Sequence, residues 1–398
     1  MKQGRHFRIP EGPQDLRRLW AEAAPLAGTG LPAWLASEDA ADYRRLGRVS
    51  LEGMSATDRH RVDEECEEVE LARLIVDTDP RDDQVRHVYV GRPRAEPVWS
   101  IGIFTGDAPW SLANLPQRNP VLTAASVTDA AATSVADPFL VRRNEQWFMF
   151  LELVNWRTWK GEIGLATSSD GLVWRYEQIV LAEPFHLSYP QVFESDDGIY
   201  MIPEASQSQT VRLYRARRFP TEWEHAGDLV VGMPFADPTV VRHQGRWWLF
   251  AETSGGRDDT LRLYHADGLA GPWREHPQSP VIRGDAENAR PAGRVVTAGG
   301  RLLRFAQSCR PAYGTDVRVR EIVRLTETEF VEQPLGTGPV LGPSGAGWNA
   351  GGMHHVDSVQ IAGGRWLAAV DGWCMDDAAD APCPSQRRQV FNLPHATR

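Results

Sequence analysis

Two stretches one hundred residues apart, VADP at 135–138 and FADP at 235–238, each set an Asp before a Pro at the head of a strand-like run. Fifteen residues beyond Asp137 and Asp237 stand Glu152 and Glu252, and the same interval separates Tyr189 from Glu204. Arg290 to Gln307 spans 17 residues and His355 to Asp371 spans 16. Carboxylates in this number are the raw material of acid–base chemistry. Breaking a glycosidic bond, for example, needs one carboxylic acid to protonate the leaving oxygen and one carboxylate to activate water or attack the sugar carbon. Gathered in one place, a set of Asp, Glu, Tyr, Arg and His would be costly to bury unless each member is paired or functional. Singly, Asp before Pro needs no such role, because it caps a turn and starts a strand.

What would gather them is a repeat. ADPFLVRRNEQWFMFLE, SYPQVFESDDGIYMIPE, ADPTVVRHQGRWWLFAE and ARPAGRVVTAGGRLLRFAQ align with one another, and HHVDSVQIAGGRWLAAVD is a weaker fifth copy. In each, a strand leads through a polar turn to a second strand, and the units start 48 to 65 residues apart. A period near 50 residues built from small antiparallel sheets predicts a β-propeller, here all-β with five blades over residues 85–375. The first strand of each blade then lines a central channel. That places Asp137, Tyr189, Asp237, Arg290 and His354 or His355 around one axial cavity, with Glu152, Glu204, Glu252, Gln307 and Asp371 at the ends of the second strands. Trp174, Trp223 and Trp273 recur near one phase and read as packing between blades. The run VWSIGIFTG at 98–106 precedes the first unit and is expected to pair with the last blade, since an open ring would leave bare sheet edges.

Residues 1–84 read as a helical extension. Pro13 and Asp15 suit a helix start, Thr57 and Asp58 a second cap, and Val62, Cys66, Val69 and Leu74 recur at three- to five-residue steps. This region is expected to pack on the outside of the ring or a neighbouring subunit, or else to cover one mouth of the channel. Residues 376–398 read as a loosely ordered tail.

The formal charge of −10 and the absence of a Lys/Arg run argue against nucleic acid as a partner. The N-terminus lacks the apolar core of a signal peptide and no window is long enough to span a membrane, so a cytoplasmic protein with no membrane partner is expected. Cys66, Cys309, Cys374 and Cys383 have no CxxC spacing and are expected to be free thiols. In MHHVDSV, strand alternation would put His355 and Asp357 on one face and His354 on the other, so zinc would need a ligand from another blade. No cofactor is expected from these residues, an axial calcium being the one candidate. The sequence leaves the oligomeric state open.

The series VADPFLV, GEIGLATSSDGLVW, HLSYPQVFE, YMIPEAS, RLYRARRFP, GPWREHPQSPV and ARPAGR resembles the domain at the N-terminal end of plant glucosamine inositolphosphorylceramide transferases, which also occurs as stand-alone bacterial proteins. That domain is similar to the five-bladed propeller of glycoside hydrolase family 43. The resemblance, over roughly residues 95–372, implies a general base at Asp137. Where those hydrolases carry a second Asp that tunes proton affinity, this sequence has Tyr189, and where they carry the acid Glu it has Asp237. The acid is therefore expected to be Asp237 or Glu204. The resemblance also likens His355, beside His354, to a fifth-blade His that reaches an axial water or calcium.

The leading expectation is a glycosidase-like enzyme acting on a small sugar or glycoconjugate, with Asp137, Asp237 and Glu204 catalytic. Tyr189, His186, Arg290, His354, His355, Glu152, Glu252 and Asp371 are the candidate substrate-binding residues, Arg290 for an anionic group. Glu152, Glu204 and Glu252 have a structural alternative in ion pairs with Arg142, Arg242, Arg290 or Arg294. Two other functions remain open: a non-catalytic sugar-binding module, and a propeller recruited for elimination, cyclisation or group transfer.

Overall fold

The computed structural model describes residues 97–155 and 160–375 in full, and in the N-terminal region the strands Tyr43–Ser50, Glu68–Val69, Ala72–Asp79 and Asp82–Gly91 (β1–β4) as backbone. These four form a sheet of order β1-β4-β3-β2 in a unit separate from the one that begins at Pro97. The helical expectation for residues 1–84 is therefore corrected wherever the structure describes them. Val69 and Leu74 fall in different strands, and Leu74 pairs with Val90. The runs Leu74-Ile75-Val76 and Val88-Tyr89-Val90, rich in β-branched and aromatic residues, suit a pleated surface better than a helix. Since β4 crosses residue 85, the propeller starts later than expected, at Pro97. The remainder of the helical reading and the tail at 376–398 lie outside the described residues.

From Pro97 onward five small antiparallel sheets follow one another. Blade I consists of β7 (Ala132–Arg143), β8 (Gln146–Asn155), β9 (Lys160–Ser168) and β10 (Arg175–Leu181). Blade II has β11 (Ser188–Ser195), β12 (Gly198–Glu204), β13 (Thr210–Arg218) and β14 (Glu222–Val231). Blade III has β15 (Ala236–His243), β16 (Arg246–Glu252), β17 (Thr260–Ala266), β18 (Arg274–Glu275) and β19 (Ile282–Arg283). Blade IV has β20 (Arg290–Pro291), β21 (Val296–Ala298), β22 (Arg301–Ser308), β23 (Asp316–Leu325) and β24 (Phe330–Pro334). Blade V takes β25 (Val356–Gln360) and β26 (Trp366–Met375) from the end of the ring, and β5 (Pro97–Ala108) and β6 (Ser111–Asn114) from its start. The expected closure is thus made, with β5 and β26 in unbroken register from Pro97↔Met375 to Gly106↔Trp366.

Five apolar clusters fill the gaps between neighbouring sheets, so each blade is held by burial on both faces. Trp174, Trp223 and Trp273 pack there as read from the sequence. Each indole N–H also donates to a carbonyl a few residues upstream, Gly171, Pro220 and Leu269 respectively, at 2.9 to 3.0 Å. This satisfies the donor that burying the ring would otherwise orphan.

The inner strands are tied around the ring by polar contacts. Asp137 Oδ2 accepts from Tyr189 N at 3.2 Å, and the Gln191 amide both accepts from Val240 N and donates to Val240 O. Arg290 Nε donates to Asp237 Oδ2 at 2.6 Å, and Val356 N donates to Ala292 O. Leu140 N donates to Asp357 Oδ2 at 2.7 Å, which closes the circuit. Gly293 permits the passage from blade IV to blade V: its φ is +123°, and a Cβ there would stand 1.8 Å from Val356 O. Among the cysteines, Cys374 is disulfide-bonded, which corrects the expectation of free thiols for it, while Cys309 is free.

Candidate active site

Asp137, Tyr189 and Asp237 share a backbone conformation that the sequence only hinted at. All three have left-handed φ values, 50°, 47° and 48°, and at each the ladder to the second strand slips. Such a bulge bends the strand and re-aims one side chain, here the residue before Pro, toward the axis. Left-handed backbone costs a non-Gly residue about 1 kcal/mol or more, and the inter-blade contacts of these three side chains offset it. The doublet ADP is thus a repeated structural device that also delivers carboxylates to one place.

There they form one network. Asp137 N donates to Asp371 Oδ2 at 2.9 Å, and Asp237 N donates to Glu204 Oε2 at 3.0 Å, so in each case a second-strand carboxylate receives the N–H of a bulged Asp. Asp237 Oδ2 accepts from Arg290 Nε and from Gln307 Nε2 at 2.9 Å. Arg290 also contacts Asp258 at 2.7 Å and Glu204 at 3.5 Å. Tyr189 is buried; its hydroxyl accepts from Gly293 N at 2.6 Å and, since the Thr239 hydroxyl donates to Asp237 O, donates to Thr239 Oγ1 at 2.8 Å.

On the other side, Asp371 is fully buried. Burial alone would raise its carboxyl, but the charge and hydrogen bond of His354 and the N–H of Asp137 outweigh that, and its pKa is lowered. An ionised Asp371 can only accept, so His354 Nδ1 donates to it at 2.7 Å, while His354 Nε2 lies 3.8 Å from Asp137 Oδ1. His355 Nε2 lies 3.2 Å from the carbonyl of Pro138 and must be the donor there. His355 Nδ1, 3.6 Å from Asp137 Oδ1, is then a lone pair, buried and without a hydrogen-bond partner. Burial pushes the His355 imidazole down to about 4. The strand rule had sent His354 and His355 to opposite faces. Both rings reach Asp137 because regular strand begins only at Val356, after the pair.

Burial, followed by the charges of Glu152, Asp237, Asp371 and Glu204, holds the Asp137 carboxyl well above the ordinary carboxylate range. For Asp237 burial pushes up, Arg290 pulls down and Glu204 pushes up again, leaving it at about 6. Asp137, His354 and Asp371 offer ligand atoms within 4.8 Å of one another. Both Asp371 oxygens are taken by N–H donors and Asp137 Oδ2 by Tyr189 N, which leaves one Asp137 oxygen and one His354 ring nitrogen, so the axial calcium considered from the sequence would draw nearly all of its oxygens from water.

The other candidates divide. Glu152 pairs with His186 Nε2 at 3.0 Å, while His186 Nδ1 accepts from Gly161 N. Glu252 accepts from Ser254 N and Thr260 N and serves the loop after β16. Neither meets the arginines considered for it: Arg142 pairs with Glu145, Arg242 with Asp196 and Arg294 with Asp357. Arg290 is balanced by three carboxylates and is not the free cation expected for an anionic substrate. His355 is enclosed behind Asp137 rather than open to a ligand.

Three contributors were not found from the sequence: Asp258 and Tyr313 come from loops, and Trp99 from the closing strand β5. Trp99 stacks on His354 with centroids 4.0 Å apart, and Arg290 lies over the ring of Tyr313. None falls at the repeated positions; Asp357, which the sequence did offer as a metal ligand beside His355, is instead engaged by Arg294 and Leu140 N.

The family described as Glucosamine inositolphosphorylceramide transferase 1, N-terminal, matches residues 91–373. Glucosamine inositolphosphorylceramide transferase 1 of Oryza sativa subsp. japonica is 37% identical over 302 residues, 70% of this chain and 40% of that protein. The Arabidopsis thaliana protein of the same name is 33% identical over 315 residues, 73% of this chain and 41% of that one. The chain thus spans about two fifths of these relatives. Among solved structures, a protein from Bacteroides thetaiotaomicron proposed to be a glycosidase shares the fold, with TM-score 0.50 and 12% identity over 66% of this chain and 97% of that one.

Proposed function

Because the chain belongs to the family of the N-terminal domain of glucosamine inositolphosphorylceramide transferase 1, we propose that its propeller acts on a sugar or glycoconjugate, with axial carboxylates as proton donor and acceptor. The observation that carries this reading is the pair Asp137 and Asp237. One repeated bulge delivers both from alternate blades, and burial raises both carboxyls while Arg290 opposes that rise at Asp237. Two carboxyls tuned apart in one site is the pattern that assigns acid and base.

The roles follow from the neighbours. Burial and the negative charges of Glu152, Asp237, Asp371 and Glu204 favour the protonated form of Asp137, and the His355 Nδ1 lone pair lies beside its Oδ1, so Asp137 gives a proton to the leaving oxygen. Glu204 and Asp237, steadied by Arg290, take a proton from water or an incoming hydroxyl. This inverts the sequence expectation of Asp137 as base.

Aryl glycosides with an activated leaving group test it, because such a group departs without protonation. Asp137→Asn should keep turnover of a nitrophenyl glycoside while losing about 100-fold or more on the matching methyl glycoside. Equal loss on both makes Asp137 the base. Product mass separates the reactions: hydrolysis adds water, transfer moves the glycosyl unit, and elimination adds nothing.

A second reading, sugar binding without turnover, is favoured by the saturation of Asp237, whose carboxylate is already held by Arg290 and Gln307. It predicts that carboxylate-to-amide variants keep their ligand.

A further inference from the structure

The connection from β22 to β23 leaves its own blade. At Gly314 it lies flat on blade V: φ is +66°, and a Cβ there would come within 2.5 Å of Trp99 Cη2 and 3.3 Å of His354 Cβ. Trp373 Nε1 donates to Gly314 O at 3.1 Å, and Met353 N donates to Thr315 O at 3.4 Å. Within the loop, the Thr315 hydroxyl donates to Ala312 O at 2.7 Å. All these contacts fix one side chain between them, Tyr313. Its ring is edge-on to His354 at 5.3 Å and to Trp99 at 6.2 Å, and the Arg290 guanidinium lies 5.0 Å from its centroid.

So constrained, Tyr313 is nonetheless 43% exposed. A scattered exposed aromatic needs no explanation, but this one sits directly over the cation that holds Asp237 and Glu204 and against the imidazole that faces Asp137. A flat apolar surface with a polar tip, held rigid beside buried carboxylates, complements a ring that is apolar on its C–H faces and polar around its rim. A pyranose is such a ring.

We propose that Tyr313, braced by Trp99, is the surface on which the pyranose ring of the ligand stacks as it enters the axial site. The inference rests on the sugar reading given above and adds to it the residue that orients the ring. Stacking on Tyr313 lays the sugar against the mouth with its edge toward Asp137 and Asp237. Tyr313 is in this sense a positioning residue, whose loss weakens binding without touching the proton-transferring groups.

The full chain is titrated with methyl β-D-glucopyranoside, methyl β-D-galactopyranoside, methyl β-D-xylopyranoside and methyl β-D-glucosaminide, followed by proton NMR. The wild-type protein should bind at least one, with the axial ring protons shifted upfield by the aromatic face. Tyr313→Phe should bind that glycoside within about twofold of wild type. Tyr313→Leu, folded by its thermal midpoint, should bind it roughly tenfold more weakly and without the upfield shift. Wild-type affinity and shift in Tyr313→Leu overturn the inference and leave the sugar reading standing, as does equal loss in Tyr313→Phe and Tyr313→Leu. If the wild-type protein binds none of the glycosides, the sugar reading falls, and the inference with it.

Discussion

Arg290 Nε and Asp237 Oδ2 meet at 2.6 Å across the boundary between blades III and IV, and the same guanidinium reaches Asp258 and Glu204. One cation thereby joins an inner strand, the end of a second strand and a loop. The partners are well buried, so removing the cation leaves carboxylates facing one another without compensation.

Arg290→Met should lower stability by about 3 kcal/mol, the usual cost of breaking a buried pair from one side. Adding Asp237→Asn should recover part of it. Urea unfolding of the two variants and the wild-type protein reads the difference, and additive losses in the double variant would show that the two residues are not coupled.

Asp237 also sets a pH dependence. Its folded pKa of about 6 lies above the roughly 3.9 of an unfolded Asp, so the folded protein keeps a proton that the unfolded chain releases. The stabilisation is complete below about pH 4 and is lost as pH rises through about 6, for a total on the order of 3 kcal/mol. Asp237→Asn should lack this slope. Unfolding midpoints at steps between pH 4 and 7 compare the two, and parallel curves would show that Arg290 keeps Asp237 ionised throughout.

Gly293→Ala should destabilise by at least about 3 kcal/mol, because the new Cβ would meet Val356 O and the backbone is left-handed. The strain falls where blade IV passes to blade V and on the N–H that supports Tyr189. A thermal midpoint within a degree or two of wild type would contradict the close approach.

Arg304 is wholly buried in blade IV, and Glu332 accepts from its Nε at 2.9 Å and from its Nη2 at 2.7 Å. Glu332→Ala should cost about 3–5 kcal/mol by stranding that charge, whereas Arg304→Met combined with Glu332→Leu should come close to wild type. Denaturant titration of both separates a stranded charge from simple loss of packing.

The sequence made the ring readable because its repeat is periodic in the residues that matter to it: the Asp or Tyr before Pro, the carboxylate fifteen residues on, and the Trp at the end of the outer strands. Inter-blade packing demands these at every turn, so they recur. Asp258, Tyr313 and Trp99 escaped because loops and the closing strand answer to no period, and only the folded ring shows which of them overhang the axis. Strand alternation misled at His354 and His355 since it applies only where the backbone is extended, and there the strand has not begun. In the N-terminal region, apolar steps of three to five residues were too few to separate a helix from short apolar strands such as Leu74-Ile75-Val76.

The seam in blade V has a mechanical corollary. Pro97 and Met375 are ladder partners at the same end of β5 and β26, so tension drawing them apart loads one rung at a time rather than all ten together. Pulled from these two points, the ring should peel open at low force like a zip. Anchored instead at Pro97 and Trp366, at opposite ends of the same ladder, it should resist in shear, a contrast that single-molecule stretching from the two pairs of handles would measure.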